Sequence, residues 1–449
     1  MTNPTIYPEA FLQRMQNYLG NDFEKFIASL NEASPVSVRF NPKKQAETKL
    51  PLAEHVPWCS SAYYLTERPS FTFDPLFHAG VYYVQEASSM FLGQVWQQIN
   101  PENKTVRVLD LCAAPGGKST HLLSLMNEES LLVSNEVIPN RNKILQENIT
   151  KWGNANAILC QNKTEDFAEL ENFFDIVVVD APCSGEGLFR KDKDAVQEWS
   201  ERNVTMCAVR QKEILKHALA CLAPGGFLIY STCTFEPEEN DERIADCGLA
   251  IAELEIQNYG QVKTKFGYQF YPHKIKGEGF YMAVLRKDGE TLHDGRYATN
   301  DKRNYQSSFI SRKRDETNFQ FLQNADNFVE HKKNDFLFAI PKNIYNDFLF
   351  LEKQLYIRHA GIYTGTVKGK DFLPSHDLAL SNFCKRDLPS VELNEEEAIS
   401  FLRSEAPKLK TQLRGWCLAT YKGMNLGWMK VLDNRINNYF PKELRILKR

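Results

Sequence analysis

Between residues 105 and 235, five apolar runs, VRVLDLCAA, LLVSNEV, NAILCQ, DIVVVDAP and GFLIYSTC, alternate with helical or loop segments. Runs with no polar alternation are strands buried on both faces, and strands separated by crossover segments pair in parallel. This pattern predicts an α/β fold built on a doubly wound, Rossmann-like sheet. The stretch 266–286, ending GFYMAVLRK, reads as an antiparallel hairpin that closes it.

A chain of 449 residues, 43% hydrophobic, is too long for one compact domain, so two or three are expected. Residues 1–75 read as a small α+β unit. Phe11, Leu12, Met15, Leu19, Phe23, Phe26, Ile27 and Leu30 predict one amphipathic helix over 8–30, and PVSVRFNP a strand at 35–42. The sheet domain occupies 76–288. Residues 289–317, which include HDGRYATNDKRNYQSSFISRKRDET, are too polar to bury a core and read as a linker. A first C-terminal domain is expected over 318–395 and a second, β-rich one over 396–449, with a helix and then the strands GWCLATYKG and MNLGWMKVL.

The formal net charge of −3 conceals an uneven distribution. Residues 402–449 carry eleven Lys/Arg against Glu405, Asp433 and Glu443, a balance of +8 that leaves −11 for the rest. Such a tail is either a solvated face or a phosphate-binding surface. The first residues show no basic stretch followed by an apolar run, and no long uncharged apolar run occurs anywhere, so the chain is expected to be cytoplasmic, with no membrane partner. Ten cysteines diluted through such a chain are expected to be reduced. The nearest two, Cys221 and Cys233, stand twelve apart, so no CxxC pair exists and no metal is expected.

In an open α/β sheet, ligands bind outside the carboxyl ends of the strands. The first strand ends in Asp110 and a loop of Cys112, Ala113, Ala114, Pro115, Gly116, Gly117 and Lys118, whose glycines allow backbone to approach a ligand at a helix start. Gly117-Lys118-Ser119 imitates a phosphate loop, but Cys112 stands where that motif needs its first glycine, which disfavours a nucleotide triphosphatase. Glu136 ends the second strand, where a carboxylate accepts hydrogen bonds from ribose hydroxyls; dinucleotide enzymes share that feature. Asn162 follows the third strand, Asp180 and Cys183 the fourth, and Cys233 the fifth. A dehydrogenase needs neither thiol.

One cysteine at a strand end is ordinarily a small buried hydrophobe. Two beside a carboxylate point to nucleophilic chemistry on an electron-poor ring. Carbon 5 of cytosine takes a methyl group from a sulfonium only after a thiolate has added to carbon 6, and an acid such as Asp180 can stabilise the charge that develops at N3.

The motifs His78-Ala-Gly-x-Tyr-Tyr-x-Gln-Glu-x-Ser-Ser-Met90, Cys112 to Lys118, Asp180-Ala-Pro-Cys-Ser-Gly-Glu-Gly187 with Arg190-Lys191, and Tyr230-Ser-Thr-Cys-Thr234 with Glu239-Asn240 resemble the NSUN family of RNA cytosine-C5 methyltransferases, in its bacterial 16S ribosomal-RNA branch. The likeness covers roughly 35–285. It implies a domain dependent on S-adenosyl-L-methionine, with Cys233 as nucleophile and Cys183 as helper in release. It further implies that Cys112 to Lys118, Glu136, Asn162 and Asp180 line the cofactor site, with Lys118 and Asp180 reaching towards the base. Leu413-Arg-Gly-Trp416, Gly427-Trp428 and Tyr439 to Leu444 resemble the PUA-like RNA-binding domain of that branch. Trp416, Tyr421, Trp428 and Tyr439 are either barrel core or stacking platforms.

The expectation is therefore a monomeric RNA cytosine-C5 methyltransferase with RNA-binding units at both ends, acting on structured RNA, 16S ribosomal RNA before transfer RNA. A DNA cytosine methyltransferase would attack with Cys183 and leave Cys233 without a task. An RNA-binding assembly factor that has lost catalysis would need neither thiol.

Overall fold

The computed structural model describes residues 7–289, 319–369, 371–405 and 411–448. The linker expected at 289–317 lies, but for its first residue, outside them. At the N-terminus stand α1 (Glu9–Leu19) and α2 (Phe23–Leu30) instead of the single helix expected over 8–30. Gly20, with φ +51°, stops α1, and Gly20–Asp22 forms one 3-10 turn, so the apolar face bends and folds over its own neighbours. Strands β1 (Val36–Phe40), β2 (Leu52–Val56) and β3 (Cys59–Leu65), the short helix α3 (Pro75–His78) and strand β4 (Tyr82–Val84) follow. The sheet runs β2-β3-β1-β4, all antiparallel. Because β4 pairs with β1, this unit reaches beyond residue 75.

The central unit contains α4 (Leu92–Ile99), β5 (Arg107–Asp110), α5 (Gly117–Leu125), β6 (Leu131–Asn135), α6 (Pro139–Trp152), β7 (Ala157–Cys160), α7 (Thr164–Ala168), β8 (Phe174–Asp180), α8 (Lys193–Glu198), α9 (Glu201–Cys221) and β9 (Leu222–Thr232). The parallel order is β7-β6-β5-β8-β9. Every residue of β6 and β7 is buried, as the uninterrupted apolar runs require. After α10 (Asp241–Ala245) come β10 (Ala250–Ile251), β11 (Val262–Lys263), β12 (Gly267–Phe270) and β13 (Phe280–Arg286). β12 and β13 form the antiparallel hairpin expected over 266–286, and β13 runs alongside β9.

The C-terminal half begins with β14 (Phe328–Lys333), β15 (Phe336–Pro341), α11 (Tyr345–Gln354), β16 (Ile357–Ala360), β17 (Ile362–Lys368), β18 (Asp371–Pro374) and α12 (His376–Leu380). β14, β15, β17 and β18 form a sheet of their own, while β16 pairs antiparallel with β7 and extends the central sheet at that edge. The last unit is β19 (Ser390–Glu392), α13 (Glu395–Leu402), β20 (Gly415–Tyr421), β21 (Met424–Val431) and β22 (Ile436–Asn438). β19 lies ahead of residue 396 and joins β20 in parallel. Of the four aromatic residues, Trp428 is core, its indole N–H donating to Ser375 O at 2.7 Å, and Tyr421 is buried. Trp416 and Tyr439 pack edge to face nearer the surface, with Lys430 over the Trp416 ring.

The two ends of the chain share one core. Val38, Leu76 and Tyr82 from the first unit pack with Phe401, Met429 and Phe440 from the last. The basic tail is therefore no detachable appendage. Lys44 ties three segments together from inside: its three N–H bonds go to Ala79 O at 2.9 Å, Lys151 O at 2.6 Å and Leu380 O at 2.7 Å. An ammonium group has three donors, and here all are used. Lys44→Met strands three buried carbonyls at about 1–3 kcal/mol each before relaxation, so urea unfolding should show a loss of about 3 kcal/mol or more. An unchanged midpoint would show that the three segments hold together without it.

Candidate active site

The ends of β5, β6, β8 and β9 open onto one cavity of about 1010 Å³. Gly116, with φ +111°, turns the chain into α5, and the place its Cβ would take is 3.2 Å from Leu145 Cδ1. Gly116 thus shapes the loop from behind, whereas Cys112, Ala113, Ala114, Pro115, Gly117 and Lys118 line the cavity. Asp110 is fully buried in the wall. Its Oδ2 accepts from Ser119 Oγ at 2.7 Å, and Oδ1 has no partner. Burial pushes its carboxyl up to about 7.

Glu136 is buried just past β6. Its Oε1 accepts the Ile138 N–H at 2.9 Å and its Oε2 faces Arg141 at 3.4 Å. Arg141 also donates to Ala114 O at 2.8 Å, so one guanidinium fixes the loop and the carboxylate together. Val137 and Ile138 beside them are about half exposed, an apolar surface suited to the face of a flat ring.

Asn162 does not join this group. Its Nδ2 donates to Tyr356 O at 3.1 Å and its Oδ1 accepts the Tyr356 N–H at 2.9 Å, so both polar atoms of the amide are spent on the segment leading into β16. These bonds make its amide a clasp between the central sheet and the C-terminal half. The main chain of Asn162 is held by Asn135, which accepts its N–H at 2.9 Å and donates to its carbonyl at 3.1 Å.

At the other end of the cavity, between β8 and β9, Asp180 stands opposite Ser231 in the strand register. Asp180 Oδ1 accepts from Ser231 Oγ at 2.8 Å and Oδ2 pairs with Lys118 Nζ at 2.8 Å. Lys118 lies 5.1 Å from the centre of the Phe280 ring, which helps to aim it. Beyond Asp180 the two sequence-predicted thiols meet. Cys183 Sγ and Cys233 Sγ are 2.9 Å apart, and the Cys233 N–H donates to Cys183 Sγ at 3.2 Å. The hydrogen bond to Cys233, followed by burial, pushes the Cys183 thiol well above its ordinary range, so Cys183 keeps its proton.

Sequence reasoning did not single out Ser231, Arg141 or Phe280. Ser231 sits inside the Tyr-Ser-Thr-Cys-Thr motif, so its position was a signal; Arg141 and Phe280 reach the site only through tertiary packing. Nor did it assign a task to Glu186 and Glu239, both fully buried below the thiols. Among the described residues no group of three or more His, Cys, Asp or Glu could hold a metal ion, and no helix is long and apolar enough to cross a membrane.

Three family models match the chain: 16S rRNA methyltransferase RsmB/F over residues 96–286, the N-terminal domain of 16S rRNA methyltransferase RsmF over 7–87, and the methyltransferase RsmF PUA domain over 388–446. Ribosomal RNA small subunit methyltransferase F of Vibrio parahaemolyticus is 31% identical over 98% of both chains, and that of Aliivibrio salmonicida 29% identical over 99% of this chain and 98% of that one. Among solved structures, a methyltransferase homologue from Pyrococcus horikoshii matches with a TM-score of 0.53 at 27% identity, covering 64% of this chain and all of the other. NSun6 from the same organism matches in fold with a TM-score of 0.54 at 20% identity, covering 64% of this chain and 99% of that one. The near full-length match, with all three domain models in register, places the chain in the family of ribosomal RNA small subunit methyltransferases F, whose central domain is that of the RsmB/F methyltransferases.

Proposed function

We propose that the chain methylates carbon 5 of a cytosine in 16S ribosomal RNA, with Cys233 forming a covalent bond to carbon 6 of the base and Cys183 aiding its release. The observation that carries this reading is the pair of thiols in contact beside the Asp180–Lys118 ion pair, on the rim of a cavity built from the Cys112 to Lys118 loop. The relatives' names supply the RNA: they are methyltransferases of the small ribosomal subunit.

The residues present fit S-adenosyl-L-methionine. Glu136 is placed for ribose hydroxyls, Val137 and Ile138 for an adenine face, and the unpartnered Asp110 Oδ1 for an ammonium donor. When bound, this cofactor supplies a methyl group on a sulfonium centre. The chain's own part begins with Cys233, whose thiol gives up its proton to water as its sulfur gives an electron pair to carbon 6. Asp180 draws a proton from the Lys118 ammonium 2.8 Å away and passes it to N3 as negative charge moves towards that atom, taking it back when the adduct breaks down. Carbon 5 then bonds to the methyl group. Loss of the carbon 5 proton to water lets the C6–S bond break, its electrons returning to Cys233. The Cys183 thiol, its sulfur 2.9 Å away, donates its S–H to that sulfur as the charge builds.

The two thiols should have opposite mutant signatures. Cys233→Ala should abolish methylation, whereas Cys183→Ala should still transfer methyl but accumulate a protein–RNA adduct that survives a denaturing gel. Exchanged phenotypes would make Cys183 the attacking thiol. In calorimetry with S-adenosylhomocysteine, Glu136→Ala should weaken binding by about tenfold or more, the value of a lost charge-assisted hydrogen bond, while Asn162→Ala, its amide pointing away, should change it by less than about threefold. A larger loss in Asn162→Ala would return that side chain to the cofactor site. The exposed cations Arg435, Lys442 and Arg445 lie on the last unit. Replacing all three with alanine should flatten the salt dependence of RNA binding by about 0.7–0.9 in logarithmic slope per lost phosphate contact. An unchanged slope would mark that face as merely solvated.

A further inference from the structure

Below the thiols lies a buried polar cluster that methyl transfer does not use. Ser184 follows Cys183, Thr234 follows Cys233, and Glu186 and Glu239 approach both from beneath, each fully buried. Among the described residues neither carboxyl has an ion-pair partner; the nearby Arg14 is engaged with Glu236 and Glu238. Two carboxyls without a cation between them in a dry interior cannot both stay ionised at neutral pH without large cost.

The hydrogen bonds indicate which one holds the proton. Ser184 Oγ is within reach of Glu186 Oε1 at 2.8 Å, of Glu239 Oε1, and of Thr234 Oγ1 at 3.1 Å. A serine hydroxyl has one hydrogen, so it cannot donate to both carboxyls. Glu186 receives donors on both oxygens, the Trp199 indole N–H and Ser184 on Oε1 and Thr234 on Oε2. Glu239 is divided differently. Both of its N–H donors, Ser184 N at 3.1 Å and Gln211 Nε2 at 2.7 Å, favour Oε2; Oε1 meets the Ser184 hydroxyl, and the Ser184 N–H reaches it only at 3.4 Å. One oxygen has the surroundings of a carbonyl and the other those of a hydroxyl.

We propose that Glu239 acts as a neutral carboxyl whose proton is donated to Ser184 Oγ, and that it is a positioning residue which fixes Cys183 against Cys233. Glu239 grips Ser184 at main chain and side chain, and Gln211, which holds Glu239, also donates to Pro182 O at 2.9 Å. The Cys183 segment is thereby held on both sides. The Tyr230 hydroxyl donates to Glu239 O at 2.7 Å, anchoring the clamp to β9. Burial, with the charge of Glu186 adding to it, pushes the Glu239 carboxyl up to about 8. The titratable groups that face it are Glu186, the Cys183 thiol, the Cys207 thiol of α9 and the Tyr230 hydroxyl, with no cation among them. A carboxyl raised on folding stabilises the fold at low pH, and this contribution is lost as pH rises through about 8.

The role in positioning rests on the two-thiol reading above; the protonation of Glu239 does not. E239Q and E186Q, equal in size to the native residue, separate the two. A glutamine amide accepts on one side and donates on the other, the pattern of a neutral carboxyl. Methyl transfer by E239Q should therefore stay within about threefold of wild type, while E186Q, which aims an N–H at groups that already donate, should lose about tenfold or more, with melting curves showing both folded. The stability that wild type loses as pH rises from the ordinary carboxyl range to about 8 should be retained by E239Q. Infrared spectra at neutral pH, wild type minus variant, should show a protonated-carboxyl stretch lost in E239Q and not in E186Q, over the contribution of the Asp110 carboxyl that both variants keep. If E239Q fell tenfold while E186Q kept its activity, or if the wild-type spectrum and that of E239Q showed the same protonated-carboxyl intensity, the inference would be overturned. Should wild type transfer no methyl to RNA, the proposed function fails, and the infrared and stability readings still decide the state of Glu239.

Discussion

The pairing of β8 with β9 is the constraint on which the site depends. Asp180 and Ser231 are register partners, so the two chains leave the sheet side by side. Three residues beyond one and two beyond the other, Cys183 and Cys233 come into contact. No loop has to search for this arrangement, because parallel pairing of two largely buried strands sets it before any ligand arrives. A slip of one residue would turn alternate side chains to the opposite face and separate the thiols. The same register puts Asp180 where Ser231 and Lys118 can share its charge, so the carboxylate and the two thiols are fixed by one set of main-chain hydrogen bonds.

The outer units brace this centre. Arg39 of β1, fully buried, reaches across to Thr120 Oγ1 at 2.7 Å and Ser124 Oγ at 3.1 Å on α5 and lies over the Trp152 ring, tying the first sheet to the helix that follows the cofactor loop. Arg14 of α1 binds Glu236, three residues past Cys233, at 2.6 Å. From the other side, β16 completes the sheet edge next to β7, and the amide of Asn162 secures the approach to it. Surfaces proposed to bind RNA at both ends of the chain are thus packed on the unit proposed to carry out the chemistry, and the two ends are packed on each other.

Much of this was legible in the sequence because the information is local. Uninterrupted apolar runs specify buried parallel strands, and strand ends specify where a ligand can sit; the five runs, the hairpin at 266–286 and the two thiols follow from those rules. What could not be read depends on distant partners. Asn162 occupies the expected strand end, but a short amide has no preferred direction until Tyr356, far along the chain, supplies a donor and an acceptor. β16 is four residues long and pairs with a strand about two hundred residues earlier, so no periodicity announces it. The split at Gly20 follows from one backbone torsion inside an otherwise continuous helical pattern. Glu186 and Glu239 look like surface glutamates by type, and only the packing of Ser184, Trp199 and Gln211 around them reveals two buried carboxyls.

The central claim is that two touching thiols have different tasks and that the sulfur which bonds to the base is that of Cys233. Peptide mapping by mass spectrometry tests it most directly, on wild-type protein incubated with S-adenosylmethionine and RNA containing 5-fluorocytosine, in which the carbon 5 substituent cannot leave and the adduct is held. The account predicts a single modified peptide, carrying the methylated fluorinated nucleotide on Cys233. A nucleotide found on Cys183, or methyl transfer with no cysteine adduct, would contradict it.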